Sequence, residues 1–128
     1  MLSLADFSNA LKPPKENPLA FEPVGVLYWQ APEVRAYVPS HDLTACVLIS
    51  LHSGPYNALK VDVWSLGATV WEMAQARPPF VDEEDNTPHN RWPPLDRPQL
   101  YSPQFHDFLR LCSEPPSSRP DPSLLLKV

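Results

Sequence analysis

The side chains that could do chemistry are few in this 128-residue chain. Cys46 and Cys112 have no His or Cys at metal-ligand spacing, so the pattern predicts buried, reduced thiols. The ten Lys and Arg residues are scattered and form no basic stripe that could meet a phosphate backbone. The acidic run 82–85 could attract basic peptides or could be a solvated loop. These residues alone therefore predict no cysteine-based metal site and no nucleic-acid partner.

The composition limits the elements that could position such side chains. Eighteen prolines stand beside only three glycines, and the formal net charge is −5. Because each proline removes a backbone donor and fixes φ, a regular β-sandwich or a Gly-rich phosphate-binding fold is not expected. The longest apolar run, residues 43–51, is far shorter than the roughly 20 residues that span a bilayer. With no secretory signal at Met1, we expect a single cytoplasmic domain without a membrane partner.

Three segments have the spacing of helices. Residues 61–76 are apolar on more than one face, which is typical of a helix inside a domain, and a double proline follows them. Ser102 and the proline after it predict the start of a second helix with one apolar stripe. Asp121 is placed to cap a short third helix. The pattern therefore predicts a mainly α chain.

Four short strings then occur in one order along the chain. They are Leu-Ala-Asp-Phe-Ser at 4–8, Gly-Val-Leu-Tyr-Trp-Gln-Ala-Pro-Glu at 25–33, Asp-Val-Trp-Ser-Leu-Gly at 62–67 and Ser-Arg-Pro at 118–120. Together they resemble the DFG segment, the end of the activation loop, the central C-lobe helix and the terminal arginine of protein kinases. The residues of these strings are most similar to those of Ste20-like serine/threonine kinases. The resemblance implies a partial kinase C-lobe with a buried central helix and two shorter helices, without the N-lobe and catalytic loop.

The resemblance also implies roles for the acidic residues. Asp6 would hold Mg²⁺ against the phosphates of Mg-ATP. Glu33 and Arg119 would form a buried ion pair that ties the activation segment to the end of the lobe. Asp62 would accept backbone N–H groups from the catalytic loop, although an exposed helix N-cap would explain it equally well. The alternative for Asp6 is an ordinary aspartate at the end of a strand. The alternative for Glu33 and Arg119 is two unpaired charges on the surface.

The second string implies a surface for protein substrates. By resemblance, Gly25, Val26, Tyr28 and Trp29 would line the groove that binds the peptide, although packing alone would also account for the two aromatic rings. The three tryptophans Trp29, Trp64 and Trp71 are expected in the core.

Departures from the family pattern qualify these roles. Ser8 replaces a flexible glycine, and Val26 replaces a threonine whose hydroxyl helps to select the substrate hydroxyl. No Ser, Thr or Tyr lies between Asn9 and Val24, so phosphorylation within that segment has no acceptor.

The strings that carry catalysis are not among the matches. A Gly-rich loop, a strand lysine and a His-Arg-Asp catalytic loop would all precede Asp6 in a kinase. We therefore expect this polypeptide to transfer no phosphate and to bind no Mg-ATP, with a protein substrate or the rest of a kinase domain as its partner. A non-catalytic, pseudokinase-like lobe and a proline-rich interaction module are the alternatives. The second is weakened because no two prolines have PxxP spacing.

The chain divides into three parts under this interpretation. Residues 1–36 form the DFG-like to Ala-Pro-Glu segment, residues 37–53 match nothing in the family, and residues 54–128 form the central helix and the end of the lobe. Removing 37–53 would join Ala36 to Gly54 at the family's usual spacing, and the flanking codons permit splice signals. A retained intron is therefore one hypothesis, and a tolerated surface loop is the other. The central helix would keep uncovered apolar faces, which predicts a poorly stable chain.

Overall fold

The computed structural model describes residues 1–20, 25–35, 56–82 and 91–127. Its elements are β1 (Leu19–Ala20), α1 (Pro32–Arg35), β2 (Tyr56–Asn57), α2 (Ala58–Gln75), a 3₁₀ turn (Pro98–Leu100), α3 (Pro103–Cys112) and α4 (Pro122–Leu125). The described part is mainly helical with one two-stranded sheet, which confirms the predicted class of fold. The unmatched segment 37–53 and most of the acidic run lie outside the described residues.

Helix α2 is the predicted central helix, but its ends differ from the prediction. It begins at Ala58, three residues early, because the Asn57 side chain accepts from the backbone N–H groups of Leu59 and Lys60. It ends at Gln75, where Ala76 adopts a left-handed conformation with φ 57°. The turn at Ala76, and not the double proline after it, therefore ends the helix.

The helix buries one face and exposes another. Val63, Trp64, Gly67, Ala68 and Trp71 are buried. Leu59, Leu66 and Met73, seven residues apart on the opposite side, are 40%, 47% and 66% exposed. The buried face agrees with the predicted buried central helix, and the exposed apolar residues agree with the expectation that some apolar faces would remain uncovered.

Trp92 packs against the core from a segment before α3 for which the sequence predicted no element. Its ring packs at 4.5 Å from the Trp64 ring, and its indole Nε1 donates to the Leu109 carbonyl at 2.7 Å. One apolar cluster joins Trp64 to the activation segment through Val34 and Tyr56. Trp92 therefore connects α2, α3 and the loop that precedes α3.

Helix α3 begins as predicted and crosses α2 closely. The Ser102 hydroxyl accepts from the Phe105 N–H at 3.1 Å, and a proline occupies the first helical position. Gly67 of α2 faces Cys112 of α3, where an added Cβ would lie 2.5 Å from the cysteine Cβ. Cys112 is a free, buried thiol, as predicted, and burial raises its pKa to about 12. Asp121 does stand at the N-cap position of α4, although its side chain makes no capping hydrogen bond.

A short sheet attaches the N-terminal segment to α2. Strand β1 pairs antiparallel with β2, with Ala20 opposite Tyr56, and the Ala58 N–H donates to the Pro18 carbonyl. The sequence predicted no strand in this part of the activation segment. Pairing of β1 next to the helix start places the segment beside α2 before the chain reaches the Tyr-Trp string.

Candidate functional site

Glu33 and Arg119, 86 positions apart, meet in a two-pronged ion pair. Arg119 Nη1 lies 2.6 Å from Glu33 Oε1, and Nη2 lies 3.3 Å from Oε2. The Arg119 side chain is 1% exposed and the Glu33 side chain 16%, so water barely reaches either charge. Glu33 is in the first turn of α1, and Arg119 precedes α4. The pair therefore joins the end of the activation segment to the end of the chain.

The other donors of Arg119 are also paired. Nε donates to the Glu114 carbonyl and Nη1 to the Lys60 carbonyl, both at 3.0 Å. The guanidinium carbon lies 5.2 Å from the centre of the Trp64 ring, within the range of a cation–π contact. Lys60 adds a bond from its ammonium to the Pro116 carbonyl at 3.0 Å. A buried charge is tolerated here because four acceptors and one ring surround it.

Residues 25–30, called loop 25–30 below, carry the side chains predicted for the substrate groove. Gly25 has φ 111°, a conformation that side chains rarely adopt. A turn follows, closed by the Trp29 N–H and the Val26 carbonyl at 3.0 Å. Val26 is 65% exposed, and the Tyr28 ring contacts the Trp29 ring edge-on at 6.1 Å. The structure thus presents an apolar turn to solvent beside two aromatic rings.

Two residues of α2 that sequence reasoning missed hold Trp29. Ser65 Oγ donates to the Trp29 carbonyl at 2.7 Å, and Trp29 Nε1 donates to Glu72 Oε2 at 2.9 Å. Trp29 is therefore half-buried against the helix and not part of the central core. The positions of Ser65 and Glu72, seven apart, place them on one helix face, and this spacing was the only sequence signal for them.

Asp6 lies on the surface, within a tight turn of its own. Its Oδ1 accepts from the Ser8 hydroxyl at 2.7 Å and from the Ser8 N–H at 3.2 Å. These hydrogen bonds, the hydroxyl first, lower the pKa of the Asp6 carboxyl. Asp6 has φ 60° and stands in no strand, so a strand-end aspartate is the wrong description.

Asp62 is not the helix N-cap, because that position belongs to Asn57. It lies in the second turn of α2, and desolvation raises the pKa of its carboxyl. Asp6 and Asp62 line one cavity of about 390 Å³, and the described residues in its wall include no Lys or Arg. Carboxylates are ordinary ligands of Mg²⁺, whereas the phosphates of a nucleotide are also held by cationic side chains in kinases. Within the described ranges no three His, Cys, Asp or Glu side chains meet as metal ligands would.

The arrangement brings some predicted residues together and leaves others apart. Gly25 and Val26 line a smaller cavity with Asp62, and Trp29 shares it. Asp6 lines the neighbouring cavity and not this one, and the Glu33–Arg119 pair lines neither of the two. An activation-segment end joined to the last part of a helical lobe by a buried Glu–Arg pair defines the C-lobe of a protein kinase.

Comparison with known proteins points to the same class. No family model matches the chain. Serine/threonine-protein kinase 10 of Xenopus tropicalis is 32% identical over 132 residues, which cover 98% of this chain and 13% of that protein. Mitogen-activated protein kinase kinase kinase 5 of Arabidopsis thaliana is 37% identical over 108 residues, covering 80% and 13%. Serine/threonine-protein kinase Tao of Drosophila melanogaster is 34% identical over 141 residues, covering 98% and 11%.

The chain belongs to the serine/threonine protein kinase family, among Ste20-like kinases, which confirms the resemblance seen in its motifs. It spans about one eighth of the length of these relatives. In the described part of the chain, no helix has both the length and the apolar character needed to cross a membrane.

Proposed function

We propose that this chain forms the activation segment and the following C-lobe helices of a kinase that transfers phosphate from Mg-ATP to serine or threonine hydroxyls of proteins. The Glu33–Arg119 pair is the observation that carries the proposal. It fixes loop 25–30 relative to α2, because Glu33 follows the loop by only three residues and Arg119 also bonds to the Lys60 carbonyl of α2. The family membership of the chain supports the same reaction.

The contribution of this chain is to bind the protein substrate. Val26 and Leu27 are 65% and 53% exposed, and the half-buried Tyr28 lies beside them. Exposed apolar side chains on a turn whose backbone is held by the helix below can receive an extended peptide. Residue 26 is a valine, so the hydroxyl that this family places here to select the acceptor is lacking. Substrate choice then depends on shape and apolar contact.

The polypeptide of 128 residues does not catalyse the transfer by itself. Among the described residues, the wall of the cavity beside Asp6 holds two carboxylates but no Lys or Arg that could pair with nucleotide phosphates, which supports a chain that does not retain Mg-ATP. Its partner is either the remaining part of a kinase domain or a protein substrate, and a lobe that only binds proteins is the alternative. A cytoplasmic location is part of the proposal and is supported by the free thiol of Cys112.

Two assays on the 128-residue polypeptide test the proposal. Incubation with Mg-ATP and casein should give no phosphate incorporation above a blank, and calorimetric titration with Mg-ATP should give no binding heat. Fluorescence anisotropy with a labelled serine- and threonine-containing peptide library should show saturable binding that Val26→Asp weakens. Leu100→Asp is the matched control, since Leu100 is 66% exposed and belongs to another segment. Equal effects of the two variants, or no binding at all, would contradict a substrate role for loop 25–30.

A further inference from the structure

Two polar bonds join helix α2 to Trp29 of loop 25–30. Ser65 and Glu72 are seven positions apart, so they lie about two turns from each other on one side of the helix. Ser65 holds the backbone of Trp29 through its carbonyl, and Glu72 holds the tip of its side chain through Nε1. Trp29 is thus fastened at two points along the helix axis.

The hydrogen bond from the Trp29 indole to Glu72 has a carboxylate oxygen as its acceptor. A hydrogen bond to an ionised carboxylate is about twice as strong as a neutral one. Within the described ranges no Lys or Arg forms an ion pair with Glu72. Its carboxylate accepts a hydrogen bond from the indole N–H of Trp29 instead. An indole buried for packing alone would not need a half-buried charge beside it, since burial of a charge without a cation is costly.

The orientation of the Trp29 ring determines what surrounds it in the loop. The backbone N–H of Trp29 closes the turn with the Val26 carbonyl, and the Trp29 ring contacts the Tyr28 ring edge-on. A displacement of Trp29 from α2, backbone and ring together, would therefore move both the exposed apolar turn and the aromatic side chain next to it. We propose that Glu72 and Ser65 are positioning residues, which hold Trp29 and thereby keep loop 25–30 in the conformation that binds protein substrate. The inference rests on the proposed substrate role of the loop.

Hydrogen exchange of the full chain, measured on peptides that cover residues 25–30, tests the positioning directly. Glu72→Ala should speed exchange of this segment by about tenfold, the factor that corresponds to 1.4 kcal/mol. Glu72→Gln should change it less than about threefold, because the amide oxygen can still accept from the indole. Ser65→Ala should act like Glu72→Ala. Thr69→Ala is its control, since Thr69 Oγ1 donates only to the Ser65 carbonyl and its residue is exposed.

A double-mutant cycle separates positioning from general loss of stability. Trp29→Phe keeps a ring but removes the donor, so Glu72→Ala should add no further exchange in the Trp29→Phe background. Equal acceleration by Glu72→Ala in both backgrounds, unchanged exchange of residues 25–30, or unprotected amides throughout α2 of the unmodified chain would each overturn the inference.

Peptide binding is measured in parallel. The inference is supported in full by two results together. Glu72→Ala adds no exchange in the Trp29→Phe background, and the Kd for the peptide is raised by Glu72→Ala but unchanged by Glu72→Gln. Coupled exchange without any peptide binding would refute the substrate role of the loop, and with it the functional part of the inference, while the positioning of Trp29 by Glu72 would stand.

Discussion

Replacing Glu33 by alanine is predicted to remove much of the stability of this chain. Because the Arg119 side chain is 1% exposed, loss of its carboxylate partner leaves a guanidinium charge that water cannot reach. The carbonyls of Lys60 and Glu114 would still accept from it, but they carry no compensating charge. Breaking a buried pair from one side costs about 3–5 kcal/mol, whereas a whole domain unfolds for about 5–15 kcal/mol.

Urea unfolding followed by tryptophan fluorescence measures this loss, since Trp64 lies directly against the guanidinium. With a denaturant slope of about 1–3 kcal/mol per molar, Glu33→Ala should lower the midpoint by about 1 M or more. Arg119→Met should also destabilise, because it removes the donors that serve Glu33 and two carbonyls. Combining Arg119→Met with Glu33→Leu should cost less than the two single losses added together, since no unpaired charge remains.

The exposed pair of Asp107 with Arg110 is the matched control. Its side chains are 54% and 56% exposed at a separation of 2.8 Å, so Asp107→Ala should cost less than about 1 kcal/mol. A loss of that small size for Glu33→Ala, or additive losses in the Glu33 and Arg119 cycle, would refute the argument from burial.

Three further outcomes are expected from the same unfolding assay. Gly67→Ala should destabilise by about 1–3 kcal/mol, because its Cβ would lie 2.5 Å from Cys112 and 2.7 Å from Trp92, and the gain in helix propensity is only about 1 kcal/mol. Unchanged or increased stability would contradict the close crossing. Asp62→Asn should raise the midpoint near neutral pH and leave it unchanged in acid below the ordinary aspartate range. The reason is that a carboxyl with a raised folded-state pKa destabilises the fold only as pH rises through that pKa. A gain that persists in acid would refute this cause. Deletion of 37–53 should keep or raise stability by about 1 kcal/mol through a shorter loop closure, whereas a lower midpoint would show that the segment belongs to the fold.

The sequence predicted well those features that depend on neighbours in the chain. Ser102 and the proline after it are enough to start α3, because a cap and a fixed φ act within one turn. The central helix was predicted for the same reason, although its start was placed three residues late. Asn57 was overlooked as a cap since the apolar pattern begins only at Val61.

Contacts between distant segments were predicted only where a family resemblance supplied them. The Glu33–Arg119 pair spans 86 positions, and no local pattern links its members. Trp92 stands alone among polar residues and prolines, so periodicity gave no sign that it completes the core. Ser65 and Glu72 likewise follow a helical spacing that any helix would contain, and only the position of the Trp29 ring distinguishes them.

On helix α2, the residues that hold loop 25–30 differ from the exposed apolar residues that lower the stability of the fold. The side that holds loop 25–30 does so through the hydroxyl of Ser65 and the carboxylate of Glu72, which are directional and fix an orientation. The adjacent positions, Leu66 and Met73, are apolar and 47% and 66% exposed. Their exposure lowers the stability of the fold, because apolar surface stays in contact with water. It does not alter the hydrogen bonds of Ser65 and Glu72, since the hydrophobic effect is not directional and orients no neighbouring group. Leu66→Gln or Met73→Gln should therefore leave loop 25–30 in place, whereas loss of the Glu72 carboxylate should release it.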